Sequence, residues 1–286
     1  LAAFSGVRAQ TFCPPTPTYT PCDLLFEMSA EETAAHPVPY TTVSLEAEFR
    51  SPRFRTHVLP GFWDGGSRLV VRFTPTEPGA WDFRLTSNLS RLNGQRGQVQ
   101  ATASGTSGFL RPRNVHHWGY TENDQAHLWM GDTCLRFGFV DDSFLDRLVA
   151  TRARQKFNHI RGLVLGTGED AASAFPAPGG PNIEYFRRLD RRIRTMNQAG
   201  IVADLILAGG DNQLTRMFPT PQARERYVRY VVARYAGMDV TWQGIAGFED
   251  YEGGRELLRE IGTLLRKLDP YNHPRSTDAL VTSAPL

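Results

Sequence analysis

Between Asp239 and Gly262 the chain reads DVTWQGIAGFEDYEGGRELLREIG, and three carboxylates, Glu249, Asp250 and Glu252, stand together in its middle. A carboxyl group that moves protons near neutral pH needs a fixed position against its substrate and surroundings that raise its pKa. The flanking residues offer both. Val240 to Ala246 is a short apolar run that reads as a buried strand. Leu257, Leu258, Ile261, Leu264, Leu265 and Leu268 recur at helical spacing. The acidic cluster therefore falls where a strand hands over to a helix, the place where parallel α/β folds build their chemistry. Glu249 is the candidate acid/base, with Trp242 or Tyr251 as the aromatic neighbour that would lift its pKa. Its plain alternative is a surface Glu beside a helix start. Asp250 competes with a helix N-cap role, and Glu252 reads as a favourable charge at the helix dipole.

The elements that must position these groups fall into two blocks. Residues 23–105 read as all-β. Thr41 to Phe49, Arg68 to Phe73 and Trp81 to Thr86 alternate apolar and polar residues, Gly97 to Ala101 reads as the last strand, and Gly/Pro/Asp turns lie between them. This pattern predicts a β-sandwich of immunoglobulin-like size. Residues 106–116 form the linker, overlapping a Gly/Ser/Thr-rich joint that runs from Ser104 to Arg113. Residues 117–286 change period. Strands are expected at His127–Met130 running on through Leu135–Val140, at His159–Leu165, at Ile201–Ala208, at Val240–Ala246, and at Ala279–Ser283. Helices are expected from the stripes Phe144–Val149, Tyr185–Met196 (ended by Gly200) and Tyr227–Tyr235 (with Pro221 near its start). Ile201–Ala208 is almost wholly apolar, the mark of a sheet covered on both faces. This β/α rhythm predicts a (β/α) TIM-type barrel, of which the first four to five βα units are present, since an eight-fold barrel takes about 250 residues. No Gly-rich phosphate loop follows any strand, which disfavours a nucleotide-binding sheet.

With 41% hydrophobic and 22% charged residues, the composition is that of an ordinary globular protein. Lys+Arg 32 against Asp+Glu 30 gives +2, so bulk charge offers no reason to invoke nucleic acid or an anionic membrane. No run approaches the roughly 20 apolar residues of a membrane span. Residues 1–22 read as a lead-in: Leu1 to Gln10 resembles the remnant of a secretory signal, with a disordered end as the alternative. Cys13 and Cys22 are placed to close a small loop, and Cys134 reads as a buried filler. A secreted or periplasmic location is the expectation; the sequence is silent on oligomeric state.

Several short motifs carry a resemblance. Pro60-Gly-Phe-Trp-Asp-Gly65, Val71-Arg-Phe-Thr-Pro75 and Glu77-Pro-Gly-Ala-Trp81 are similar to the small β-sandwich domain that precedes apiosidase-like catalytic domains. Gly108-Phe-Leu-Arg111, Trp129-Met-Gly-Asp-Thr133, Phe157-Asn-His-Ile160, Trp242 to Asp250 and Asp269-Pro-Tyr-Asn-His-Pro274 resemble the apiosidase-like barrel itself. The resemblance covers nearly everything from about residue 23. It implies a secreted bacterial glycoside hydrolase related to a retaining clan that uses two carboxylates and no cofactor, with a carbohydrate as substrate. Two features depart from the clan pattern. Gly247-Phe248, not Asn, precede Glu249, and the nucleophile's late strand would lie beyond Leu286. Retaining enzymes hold their two carboxyls about 5–5.5 Å apart and inverting ones about 6.5–9.5 Å apart.

Around Glu249 the candidate sugar contacts are Asp132, Arg136, Asp211, Asn212, Trp242 and Asp250. Asp132 and Arg136 are expected on one face of the first barrel strand, where an ion pair between them competes with a ligand role. Asp211 and Asn212 follow the third strand over the barrel mouth, against a plain turn. Trp118 and Tyr120 read as packing at the joint more than as sugar platforms, Trp81 reads as core, and His159 as a satisfied core histidine. The histidines form no metal spacing and no Ser nucleophile elbow occurs. The competing function is a non-catalytic carbohydrate-binding or structural protein.

Overall fold

A computed structural model describes residues 13–123, 125–176 and 180–279. The N-terminal unit comprises β1 (Thr16–Pro17), β2 (Cys22–Glu27), α1 (Ala30–Ala35), α2 (Pro39–Thr42), β3 (Leu45–Arg50), β4 (Thr56–Pro60), β5 (Phe62–Trp63), β6 (Arg68–Phe73), β7 (Gly79–Ser87) and β8 (Arg96–Thr102). These strands make a five-stranded sheet, β1-β8-β7-β3-β4, and a three-stranded sheet, β2-β6-β5. The apolar half of each alternating strand fills one shared core. There Phe49 stacks on Phe73 at 3.9 Å, and Trp81 is fully buried with its indole donating to the Glu77 carbonyl at 2.9 Å. One expected strand is shorter than its pattern. Pro39 fixes φ at the first position of a helical turn, so Pro39–Thr42 is α2 and β3 begins only at Leu45. Cys13 and Cys22 form a disulfide, and strand pairing already begins at Thr16.

After a small hairpin of β9 (Leu110–Pro112) and β10 (Trp118–Tyr120), the second unit is β11 (Gly131–Thr133), α3 (Asp142–Arg154), β12 (His159–Leu163), α4 (Asp170–Ala174), α5 (Ile183–Gln198), β13 (Val202–Ala208), α6 (Gln213–Met217), α7 (Pro221–Tyr235), β14 (Val240–Ala246), a 3-10 turn at Phe248–Asp250, α8 (Gly254–Leu268) and β15 (Arg275–Asp278). The five strands pair in chain order, all parallel. β13 is buried along its whole length, as its continuous apolar run requires. The helices start and stop on local signals: the Asn182 side chain caps α5 by accepting from the Tyr185 amide (3.2 Å), Thr220 caps α7, and Pro221 opens it.

Two strands differ from the sequence expectation. The first is only Gly131–Thr133. Residues 135–139 instead form a turn; the Phe137 carbonyl within it and the Val140 carbonyl just after it accept from the buried Arg192 guanidinium, so Arg136 leaves the strand altogether. The fifth strand is Arg275–Asp278, ahead of the apolar run expected to form it, and residues 280–283 of that run lie outside the described residues.

His159, Asp204 and Thr241 share one face of the sheet, and Arg161 lies on that face of β12. Arg161 Nη1 bonds Asp278 Oδ1 on β15 at 3.1 Å. Two strands stand between these partners. In a flat sheet they would be about 14 Å apart, at roughly 4.8 Å per step. The sheet is therefore curled, with the Arg161–Asp278 pair across its concave side.

Candidate active site

The C-terminal edge of the parallel sheet carries the acidic turn. Gly247 takes a left-handed conformation (φ 60°) that ends β14, and Phe248 buries its ring beneath the 3-10 turn. Glu249 and Asp250 are exposed on that turn. Gly254 starts α8 so close beneath it that a Cβ there would lie 1.8 Å from the Phe248 carbonyl oxygen; only glycine fits. The buried Tyr251 pins the turn to the neighbouring loop: its hydroxyl donates to the Gly209 carbonyl and accepts from the Leu214 amide (3.0 Å). Burial pushes the Tyr251 hydroxyl above its ordinary pKa, keeping it protonated for that bond. Asp211 and Asn212, both exposed and both left-handed (φ 55° and 54°), stand on the loop so pinned. The fold thus puts Asp211, Asn212, Glu249 and Asp250 on adjoining loops at one end of the sheet. α8 begins at Gly254 with Gly253 at its N-cap, so neither Asp250 nor Glu252 caps it.

Three other candidates are placed differently. Trp242 is fully buried on the face of β14 opposite Thr241, and its indole donates to Asp269 at 2.9 Å; it presents no open face to a ligand. Asp132 does not pair with Arg136. It accepts from Arg152 and from the Thr133 amide, and although burial pushes its carboxyl up, these bonds hold it below the usual range. Arg136, exposed in the turn after β11, makes a bidentate pair with Asp170 at 2.7 and 2.8 Å, which lowers the Asp170 pKa. Asp132, on β11 itself, and Arg136, in the turn beyond it, are therefore both committed to ion pairs.

The edge also holds groups the sequence reading missed. Asp278 ends β15, and its backbone carbonyl accepts from the Gly247 amide at 2.9 Å, one strand from the acidic turn. Gln243 is buried on the concave face, and its Oε1 has no hydrogen-bond partner among the described residues. A β-period applied to Arg275–Asp278 would have put Asp278 at a strand end, but its polar residues look like loop.

At the opposite, N-terminal end of the strands lies a buried polar chain. The Tyr120 hydroxyl meets His127 Nδ1 (2.7 Å), His127 Nε2 meets His159 Nε2 (2.8 Å), His159 Nδ1 meets Asp204 (2.8 Å), and Thr241 donates to the same carboxylate (2.6 Å). Burial and the neighbouring His159 push the His127 pKa down to about 4, so it is neutral at pH 7. His159 is a satisfied core residue, as expected from the sequence. Trp118 packs on Trp129, and Tyr120 on His127, as joint packing. Among the described residues no group of His, Cys, Asp and Glu could hold a metal ion.

Asp239, just before β14, sits at the same end. Burial pushes its carboxyl up to about 6, and its Oδ1 has no hydrogen-bond partner among the described residues. The native state thus holds this proton more tightly than the unfolded chain. Asp239's contribution to stability falls as pH rises from about 4 to about 6 and is level above that. Asp239→Asn removes the ionisation. Between pH 4 and pH 7.5 its stability relative to wild type should improve by about 2–3 kcal/mol. Urea melts at the two pH values check this, and a pH-independent difference would refute it.

The apiosidase-like catalytic-domain model matches residues 115–285, and a domain of unknown function, DUF5060, matches residues 16–88. A Bacteroides vulgatus structure provisionally assigned as a glycoside hydrolase aligns with 94% of this chain at TM-score 0.80 and 20% identity. This is a likeness of fold, and the chain covers 57% of that protein. A family 5 glycoside hydrolase from Bacteroides vulgatus (TM-score 0.48, 14% identity) aligns with 60% of this chain and 39% of its own. A Rhizomucor miehei endo-1,4-beta-mannanase (TM-score 0.49, 12% identity) aligns with 60% of this chain and 61% of its own. The chain therefore spans less than two thirds of each of these structures. No curated protein matches it. With a family match over more than half its length, the chain belongs to the apiosidase-like catalytic-domain family.

Proposed function

We propose that the chain supplies the N-terminal portion of a glycoside hydrolase: an immunoglobulin-like β-sandwich followed by the first βα units of a TIM-type barrel. The curl of the parallel sheet supports the barrel reading, and the two sheets around one core support the sandwich. Glu249 is the general acid/base. It protonates the leaving glycosidic oxygen as the bond to the anomeric carbon breaks, and afterwards takes a proton from the attacking water. Asp211, Asn212 and Asp250 contact sugar hydroxyls around it, and the second carboxylate of a retaining pair completes the site. The observation that carries this reading is the position of Glu249. It is exposed at the C-terminal end of a central parallel strand, on a turn fixed by Gly254 and Tyr251. Exposure lets Glu249 meet a large external substrate, but the burial expected of Trp242 is not supplied, because that indole lies on the other face of β14 against Asp269; a bound glycan would have to provide it. Export fits the Cys13–Cys22 disulfide, a bond that persists in oxidising compartments.

The test is release of new reducing ends from a panel of plant and bacterial polysaccharides by the enzyme that carries this chain. Proton NMR of the first-formed product should show the anomer of the substrate. An inverted anomer would refute the retaining assignment. Binding of a glycan without any hydrolysis would favour a non-catalytic carbohydrate-binding protein.

A further inference from the structure

A second candidate glycan site lies between the two units, away from the acidic turn. A cleft of about 300 Å³ opens between α2 and β5 on one side and α7 on the other. Clefts of this size at domain seams are where ligands bind most often. Its walls are aromatic and fixed in advance. The Trp63 indole donates to the Gly66 carbonyl at 2.8 Å, and Tyr230 meets Tyr40 and Phe62 edge-on at 5.5 and 6.2 Å. Its rim carries Arg226, Arg229 and Glu225. Arg229 is tied to Glu46 at 2.9 Å, whereas Arg226 lies over the Tyr40 ring at 5.9 Å with no carboxylate of the described residues paired to it. Glu225, also on the rim, turns towards Lys267 at 3.9 Å. Aromatic faces accept the C–H faces of a sugar ring, and a guanidinium fork matches a carboxylate in two parallel hydrogen bonds.

We propose that this cleft binds a carboxylate-bearing sugar unit of a glycan, with Trp63 as the platform and Arg226, held over the Tyr40 ring, as the carboxylate's partner. The proposal rests on the carbohydrate reading above but not on Glu249. A site here would hold an acidic polysaccharide alongside the barrel while another stretch of it reaches the strand edge.

The test is calorimetric titration of the protein with trigalacturonate and with neutral galactotriose at low salt. Trigalacturonate should bind at least about tenfold more tightly, ~1.4 kcal/mol, and lose that advantage as salt is raised. Arg226→Gln should remove the preference while leaving the melting temperature unchanged, because this side chain makes no ion pair that the fold needs. Trp63→Ala should weaken both sugars. Glu249→Gln should leave binding here intact, so that loss of hydrolysis and loss of this site are separate results. Equal affinity for the two sugars, an unchanged preference in Arg226→Gln, or no binding of either at about 10 mM would each overturn the proposal.

Discussion

Replacing Glu249, the acid/base proposed above, with Gln is expected to lower kcat on a glycan substrate by about 10²–10⁴-fold, the usual worth of a positioned proton donor. Gln keeps the size and polarity of the side chain on an exposed turn, so the fold and substrate binding should hold; what is lost is the proton. This makes the loss depend on the leaving group. A natural sugar alkoxide leaves poorly without protonation, whereas an acidic phenol leaves unaided. An aryl glycoside of a low-pKa phenol should therefore lose far less than the glycan. The neighbours give the contrast. Asp250→Asn and Asp211→Asn, as the proposed contacts to sugar hydroxyls, should raise KM and lower kcat by less than about tenfold, the range of single hydrogen bonds at the surface. Steady-state kinetics on both substrates decide the matter. An equal loss on glycan and aryl glycoside, or a larger loss from Asp250→Asn, would move the acid/base elsewhere.

The residues around Glu249 show what a sequence can and cannot say. The strand, turn and helix were legible because β14 and α8 carry strong apolar patterns on either side of the turn. The start of α8 was not, because it depends on the close approach of Gly254 to the Phe248 carbonyl, a tertiary contact with no periodic signature. Strand alternation puts Asp132 and Arg136 on one face, where an ion pair between them competes with a ligand role. That placement failed because the buried Arg192 reaches from α5 to hold residues 137–140 in a turn, freeing Arg136 to find Asp170. Trp242 was placed at a sugar by its nearness in sequence to Glu249, yet strand alternation sends it to the face opposite Thr241 and onto Asp269. Asp278 escaped notice because β15, Arg275–Asp278, is a polar tetrapeptide without the apolar alternation that marks a strand. Local pattern located the elements; side chains that bridge elements far apart in sequence decided which charged groups are free.

The same kind of long-range bridging governs the seam between the two units, where the largest stability effect is expected. Arg72 from β6 and Arg234 from α7 are both buried and both grip Asp190 of α5, at 3.0 and 2.7 Å. Arg72 also holds Asp23, Arg234 holds Asp64, and Arg187 and Arg194 reach the same two aspartates from α5. Four arginines thus face three aspartates. Removing Asp190 takes the shared anion from two buried cations, Arg72 and Arg234, whereas removing Arg234 leaves Asp190 paired with Arg72 and Asp64 with Arg187. Asp190→Ala should therefore cost about 3–5 kcal/mol, the penalty for uncompensated buried charge. Arg234→Met, which fills the space against Phe62 with an apolar side chain, should cost distinctly less, even though Arg234 is the more deeply buried group. The acid side follows the same logic. Burial pushes the Asp190 carboxyl up, but Arg72 and Arg234 outweigh it and hold it below its ordinary range. Its stabilisation is complete above about pH 4 and is lost as pH falls through that lowered value. Denaturant melts of the two variants at pH 7 and pH 3 measure this. Arg234→Met should remain the more stable of the two at pH 7, and the deficit of Asp190→Ala against wild type should shrink towards pH 3. The opposite order at pH 7 would mean that the hydrogen bonds of Arg234, and not the balance of charge, hold the two units together.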